Sequence, residues 1–368
     1  WVIKHPKTII TGTLVIIGVA SIGLSNVQVN NFLLEDLNEN DPIKQEYRFF
    51  EKTFDGVRPF EIALIGKKDN KLELTYDLMQ DLFLLESYLI KSYEIKTVMG
   101  LPTIAREMNQ AIHEGLVGFQ KKPERNDWIK IKKILSRLTK SGKLDKLIDL
   151  ENTKIRFSAR VTDYGGKVFS VKNKELIQFW QTLPASKKFN LNVTGMANLI
   201  DRNNELLSKN MMVGLLIAFG LIAIIIGILF KSFSYVFIAI IPNILPLILI
   251  AGVMGYVGID LKISTSLIFT IAFGIAVDDT IHFLSRYKLE LGKGKTRLYA
   301  LKSTYLYTGK AILITSIILC AGFWTLIFSS FMSTFYIGVL ISLTLLFAVL
   351  CDLILLPVLL LWVSKPKS

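Results

Sequence analysis

Apolar residues along this chain gather in six long runs, at 7–25, 209–230, 234–257, 263–285, 310–330 and 335–363. About 20 consecutive apolar residues suffice for a helix to cross a bilayer, so each run predicts a membrane-spanning helix. Between the first and second runs the pattern shortens and changes period. Residues 60–67 alternate as a half-buried strand, with Ile62 and Leu64 on one side. Residues 74–91 repeat at helical spacing through Leu78, Leu82, Leu85 and Leu89. Further strands are expected at 95–99, 154–162 and 189–194, and further helices at 104–113, 127–138 and 171–183. Gly100, Pro102, Gly165, Gly166, Pro184 and Gly195 punctuate them.

The order strand–helix–strand, met twice, predicts a small α+β domain of split βαβ (ferredoxin-like) topology. The chain then divides into a first transmembrane helix in 1–25, an extracytoplasmic α+β domain over 26–208 and a five-helix membrane bundle over 209–363. A basic loop at 286–309 interrupts the bundle, and 364–368 form a tail. After Gly195 the sequence MANLIDRNNELLSKN holds neither Pro nor Gly, so one continuous helix should run into the second span, as a lever or as a plain connector. In the third run, IPNILP carries Pro242 and Pro246, each of which removes a helix hydrogen bond. A kink or an unwound turn is expected there. It serves packing alone, or a polar neighbour such as Asn243 satisfies the freed carbonyls.

Composition agrees with a polytopic membrane protein: 51% of the residues are hydrophobic. The net charge of +13 invites a nucleic-acid reading, but much of the excess flanks the apolar runs. Lys4 and Lys7 precede the first, Lys231 separates the second and third, and Lys365 and Lys367 follow the last. Arg286, Lys288, Lys293, Lys295, Arg297, Lys302 and Lys310 lie around the fourth-to-fifth connection, opposed there by Glu290. With six spans these segments share one side, which the excess of Lys and Arg makes cytosolic. Both termini are then cytosolic, 26–208 lies outside an inner or cytoplasmic membrane, and no nucleic-acid partner is called for. Cys320 and Cys351 fall inside spans, so neither a disulfide framework nor a metal spacing arises. The chain starts at Trp1 without a cleavable signal pattern, as a piece of a longer protein would.

The fourth run poses the chemical question. Between Ser266 and Asp278 its uninterrupted apolar stretch is LIFTIAFGIAV. At 1.5 Å per residue that covers about 16 Å, roughly half the hydrocarbon core. Polar residues must enter the membrane at one end. Sliding outward would bury Asp260 and Lys262; sliding inward, the better choice, admits Asp278 and Asp279 and leaves Arg286 and Lys288 to reach the headgroups. A carboxylate deep in a span costs about 2.5–3.5 kcal/mol, and such residues mark proton or ion paths. Two adjacent ones repel, so the pair is expected to share a proton and to work as a proton relay. Gly274 lies one turn before Asp278 and would let a neighbouring helix come close. His282 lies one turn after, as a relay or as an interfacial histidine. Asp352, inside the sixth run, is a further relay candidate.

GIAVDD resembles the fourth-helix G-x-x-x-D-D motif of the resistance-nodulation-division (RND) superfamily. The order of one span, an outer domain and five spans is similar to one half of such a transporter. IPNILPLIL, AVDDTIHFLSRY, TGKAILITSIILCAGFWTLIFSSF and DLILLPVLLLW resemble the branch of MMPL, hopanoid-exporter and Patched-like proteins, whose five-helix unit is the sterol-sensing domain. FEKTFDGVRPFEIAL after the first span is similar to their C-terminal half. The resemblance implies proton-driven export of a lipid or other hydrophobic molecule, a porter-type outer domain, and a relay role for Asp278 and Asp279. The implied partners are the missing other half, membrane lipids and the hydrophobic substrate, with a homo-oligomer possible. A lipid or sterol sensor without transport, and a SecDF-like protein-export accessory, are the alternatives. No phosphate loop, nucleophile elbow or zinc spacing suggests an enzyme, and no cofactor is expected.

Overall fold

The computed structural model describes residues 2–54, 56–67, 73–149 and 153–363; Lys365, Lys367 and the rest of the tail lie outside them. In chain order the elements are α1 (Pro6–Leu24), α2 (Pro42–Thr53), β1 (Arg58–Gly66), α3 (Tyr76–Tyr93), β2 (Val98–Met99), α4 (Leu101–Ile112) and α5 (Arg125–Lys140). There follow β3 (Ile148–Asp149), β4 (Lys154–Val161), α6 (Gly166–Thr182), β5 (Phe189–Thr194), α7 (Met196–Phe230), α8 (Phe233–Val257) and α9 (Ile263–Gly292). The last are α10 (Arg297–Thr304), α11 (Lys310–Trp324), α12 (Met332–Leu350) and α13 (Leu356–Val363). Six stretches are long and apolar enough to cross a membrane: α1, α7, α8, α9, the run Arg297–Phe328 and the run Met332–Trp362. The chain is a multi-pass membrane protein.

Contacts divide the chain into two units. One holds the residues up to Asn30, Glu35–Asn38 and everything from Asn204 on; the other holds Asn31–Leu34 and Glu39–Asn203. The boundary at Asn203 falls inside α7, which runs unbroken for 35 residues; its first part, 196–210, holds neither Pro nor Gly and continues into the second span as expected.

The second unit is built on an antiparallel sheet of order β2-β4-β1-β5, with β3 paired to β4. Register follows the alternation. Ile62 stands opposite Phe157 and Val193, and Leu64 opposite Ile155 and Leu191. Ile62, Leu64, Ile155 and Phe157 are sealed against the leucine stripe of α3, which buries Leu78, Leu82, Leu85 and Leu89. Each such side chain contributes about 1.5–3 kcal/mol by leaving water. Deep in this unit Arg58, 2% exposed, joins two carboxylates. Its Nη1 donates to Asp163 at 2.6 Å and its Nη2 to Asp201, while the guanidinium lies 4.3 Å from the centroid of Phe169. Asp163 also accepts from the backbone N–H of Leu33 at 2.7 Å, and Asp201 from Asn31 at 3.1 Å. Helix α2 lies in a stretch the sequence analysis left unassigned. Asp41 caps it by accepting from the Ile43 N–H, Pro42 starts it, and it buries none of its residues.

In the membrane unit α1 packs on α8 through glycine. A Cβ on Gly255 would sit 1.8 Å from the Gly23 carbonyl oxygen, and one on Gly252 would sit 2.8 Å from the Ala20 Cα. Small residues let backbones meet where no hydrophobic drive separates helix from lipid. At one rim of the bundle Lys262, 6% exposed, reaches Glu35 at 2.6 Å and Asp36 at 2.9 Å. Burial alone would lower the Lys262 pKa, but the hydrogen bonds and charges of Glu35 and Asp36 outweigh it and raise the pKa above its ordinary value. Asn204 accepts from the Ile263 N–H at 3.0 Å, tying α7 to the start of α9.

Three expectations are corrected. The segment 286–309 is mostly helical, because α9 continues to Gly292 and α10 is followed by a π turn at Tyr305–Gly309. Helix α8 shows no unwound turn, since it runs without interruption through Pro242 and Pro246. Gly274 admits no close neighbour: a Cβ there would meet nothing within 4 Å. The close glycine approach belongs to Gly252 and Gly255 on α8.

Candidate functional site

Helix α9 places its polar residues on two faces. Successive residues turn by about 100°, so Asp278 and His282, four apart, share one side, while Thr280 points to the opposite one. Thr280 is fully buried and is one residue beyond Asp279. Its Oγ1 donates to Asp352 Oδ1 at 2.6 Å and accepts from Asn243 Nδ2 at 3.1 Å. Asn243 also donates to the Ala239 carbonyl at 2.6 Å. Asn243, Thr280 and Asp352 are 2%, 0% and 1% exposed. A continuous donor chain therefore crosses from α8 through α9 to the last apolar run, ending on a carboxylate sealed in the bundle. Asn243 does satisfy a helix carbonyl, but Ala239 is not one of the acceptors the prolines free, which belong to Ile238 and Pro242 by the four-residue rule.

Asp352 sits in a π turn, Cys351–Leu355, between α12 and α13. Pro357 follows shortly after it and offers no N–H to the Leu353 carbonyl within the turn. The turn carries the buried acid that accepts from Thr280.

The opposite face of α9 opens on a cleft of about 860 Å³. Asp278, Asp279, His282 and Arg286 line it from α9, with Tyr307 and Thr315 across from them. Asp278 and His282 are largely exposed to it, and His282 Nε2 lies 3.4 Å from Asp278 Oδ1. Asp279 is half-buried between the two faces. The Arg286 guanidinium lies 5.4 Å from the Tyr307 ring centroid. One turn further Glu290, 2% exposed, gathers Lys293 at 3.1 Å, Arg286 at 3.3 Å and Lys295 at 3.5 Å. The acid named from sequence as the sole counter-charge in this segment thus anchors three of its cations.

Asp278 and His282 are in contact, and Asp352 and Asn243 meet through Thr280. Pro242 and Pro246 are buried in α8, and Gly274 takes no part. Thr280 escaped the sequence analysis. Its signal was positional: a hydroxyl on the side of α9 opposite Asp278, directly after an acid pair. Among the described residues no group of three or more His, Cys, Asp or Glu side chains is placed to hold a metal ion.

Against known proteins, the MMPL family model matches residues 170–367. The membrane protein MJ1562 of Methanocaldococcus jannaschii, whose name states no activity, is 24% identical over 364 residues. The match spans 97% of this chain and 90% of that protein.

Proposed function

This chain belongs to the MMPL family, and on that premise we propose that it works as one half of a proton-driven exporter of a lipid or other hydrophobic molecule. The observation that carries the reading is the graded set of three acids around α9. Asp278 is exposed to the cleft, Asp279 is half-buried, and Asp352 is sealed behind Thr280. A proton reaching the cleft meets Asp278 and His282 first, is passed by Asp279, and its charge is felt at the buried acceptor of the donor chain. Protonation changes the repulsion between the acids, and with it the packing of α9 against α8 and α12. Each charge moved across 100 mV supplies about 2.3 kcal/mol for that change. The basic connections would face the cytosol and the sheet unit the outside, where its strand order supports a porter-type, ferredoxin-like domain.

The partner half would be a second six-span unit.

The test is reconstitution in liposomes with an imposed proton gradient, an internal pH dye and a fluorescent phospholipid as reporter cargo. Asp278→Asn, Asp279→Asn and Asp352→Asn should each abolish gradient-driven proton flux while the protein still inserts. Full flux in both the Asp278 and Asp279 variants would exclude the relay. Cargo binding that is indifferent to the gradient, with no flux in the unaltered chain, would favour a lipid sensor.

A further inference from the structure

The sheet unit carries a second cleft, about 750 Å³, between the start of α3 and one side of α5. Its α5 wall is written in RNDWIKIKKILSRLTK. Arg125, Trp128, Ile129, Lys132, Lys133 and Arg137 line the cleft. Their spacing of three and four residues puts them on one stripe. Ile131 and Leu135 meanwhile enter the core of the unit. The helix therefore has one side spent on stability and another spent on four cations.

Those cations have no internal reason to be together. Arg125, Lys132, Lys133 and Arg137 are all exposed, and among the described residues none of them is in an ion pair, whereas Arg58, Arg106 and Arg156 of the same unit are each paired. Among the described residues the one acid on the cleft wall is Asp77. Opposite α5, Thr75 caps the 18-residue α3 by accepting from the Leu78 N–H, so the positive end of that helix dipole adds to the same field. Arg125 spans the two walls, its guanidinium 5.9 Å from the Tyr76 ring centroid. Between the charges the apolar surface is Ile129, 60% exposed, and the half-buried Tyr76 ring; Trp128, 4% exposed, backs them from the core. Several unpaired cations focus a field that selects anions, and guanidinium and ammonium groups suit phosphate oxygens.

We propose that this cleft binds the phosphate headgroup of an anionic amphiphile, with Arg125, Lys132, Lys133 and Arg137 on the phosphate and Ile129 and Tyr76 against the adjoining carbon chain. The apolar lining argues for a lipid-borne phosphate, because inorganic phosphate makes no use of it. The site is independent of the relay proposed above; either stands if the other fails.

The experiment uses the full chain in phosphatidylcholine nanodiscs, titrated calorimetrically with dihexanoyl phosphatidylglycerol below its micelle concentration. Dihexanoyl phosphatidylcholine, inorganic phosphate and polyglutamate are the comparison probes. Saturable binding of the anionic lipid is expected, at least tenfold tighter than the choline lipid and weakening with added salt. Lys132→Glu/Lys133→Glu should weaken it tenfold or more, and Ile129→Ser several-fold. An unchanged thermal unfolding midpoint in each variant shows that binding, not fold, was lost; if the glutamate pair unfolds, Lys132→Gln/Arg137→Gln carries the same expectation. Anionic-lipid binding untouched by these changes overturns the proposal. So does inorganic phosphate binding as tightly as the lipid, or polyglutamate binding more tightly with no effect of Ile129→Ser, which would assign the surface to an acidic protein.

Discussion

Replacing Thr280 by valine isolates the link between α9 and Asp352. Valine keeps the shape of threonine, so no cavity opens and the change is confined to the hydroxyl. Two hydrogen bonds go: the 2.6 Å bond to Asp352 and the 3.1 Å bond from Asn243. Asn243 keeps its 2.6 Å bond to the Ala239 carbonyl, so the loss falls on Asp352, to which Thr280 is the one donor among the described residues. A buried acceptor left unpaired costs about 1–3 kcal/mol, but hydrogen bonds between membrane helices average nearer ~0.6 and reach ~1.7. The expected destabilisation is about 1–2 kcal/mol, a roughly 5- to 30-fold shift in the unfolding equilibrium. Thr280→Ser keeps the hydroxyl and should cost only the methyl group, about 0.8 kcal/mol. The assay is reversible unfolding in mixed micelles, run as a double-mutant cycle with Asp352→Leu. In that background the Thr280→Val cost should shrink towards zero. If valine costs no more than serine, or costs the same with and without the Asp352 carboxylate, the donor chain is not what couples these helices.

Arg58→Met removes the cation between two buried carboxylates and should destabilise the sheet unit by about 3–5 kcal/mol. Adding Asp201→Asn should recover part of it, as read by the temperature at which the sheet unit becomes susceptible to protease. The two helix glycines should respond oppositely. Gly255→Ala drives a Cβ into the Gly23 backbone and should lose about 1–3 kcal/mol. Gly274→Ala meets open space and should be neutral or gain up to ~1 kcal/mol from helix propensity; thermal unfolding of both variants checks this. Lys262 has its pKa raised in the folded protein, so its contribution is fully present below the ordinary value of 10.5 and is lost as pH rises through the folded value. Unfolding curves of the unaltered chain and of Lys262→Met should therefore differ by a constant amount up to about pH 10 and converge above it.

Periodicity is a local property, and what depends on it was legible in the chain. The six apolar runs, the alternation of β1 and β4 and the leucine stripe of α3 each report one element against a wet or greasy environment, and each was readable without its neighbours. Helix α2 was left unassigned: Asp41 and Pro42 mark its start, but it buries none of its residues. Asp278 and Asp279 could be singled out because a charge in a short apolar run conflicts with its surroundings. The pairings could not. Thr280 is separated from Asn243 by 37 residues and from Asp352 by 72, and nothing in any of the three local sequences announces the others. Nothing in the local sequence marks Lys262 for burial, and only the return of Glu35 and Asp36 to it gives its buried charge partners. Gly274 and Gly255 read alike as helix glycines, yet a second backbone lies against one and not the other. Which side chains meet is set by how helices pack and where a π turn rotates the chain, and those choices are made by the whole bundle rather than by any stretch of it.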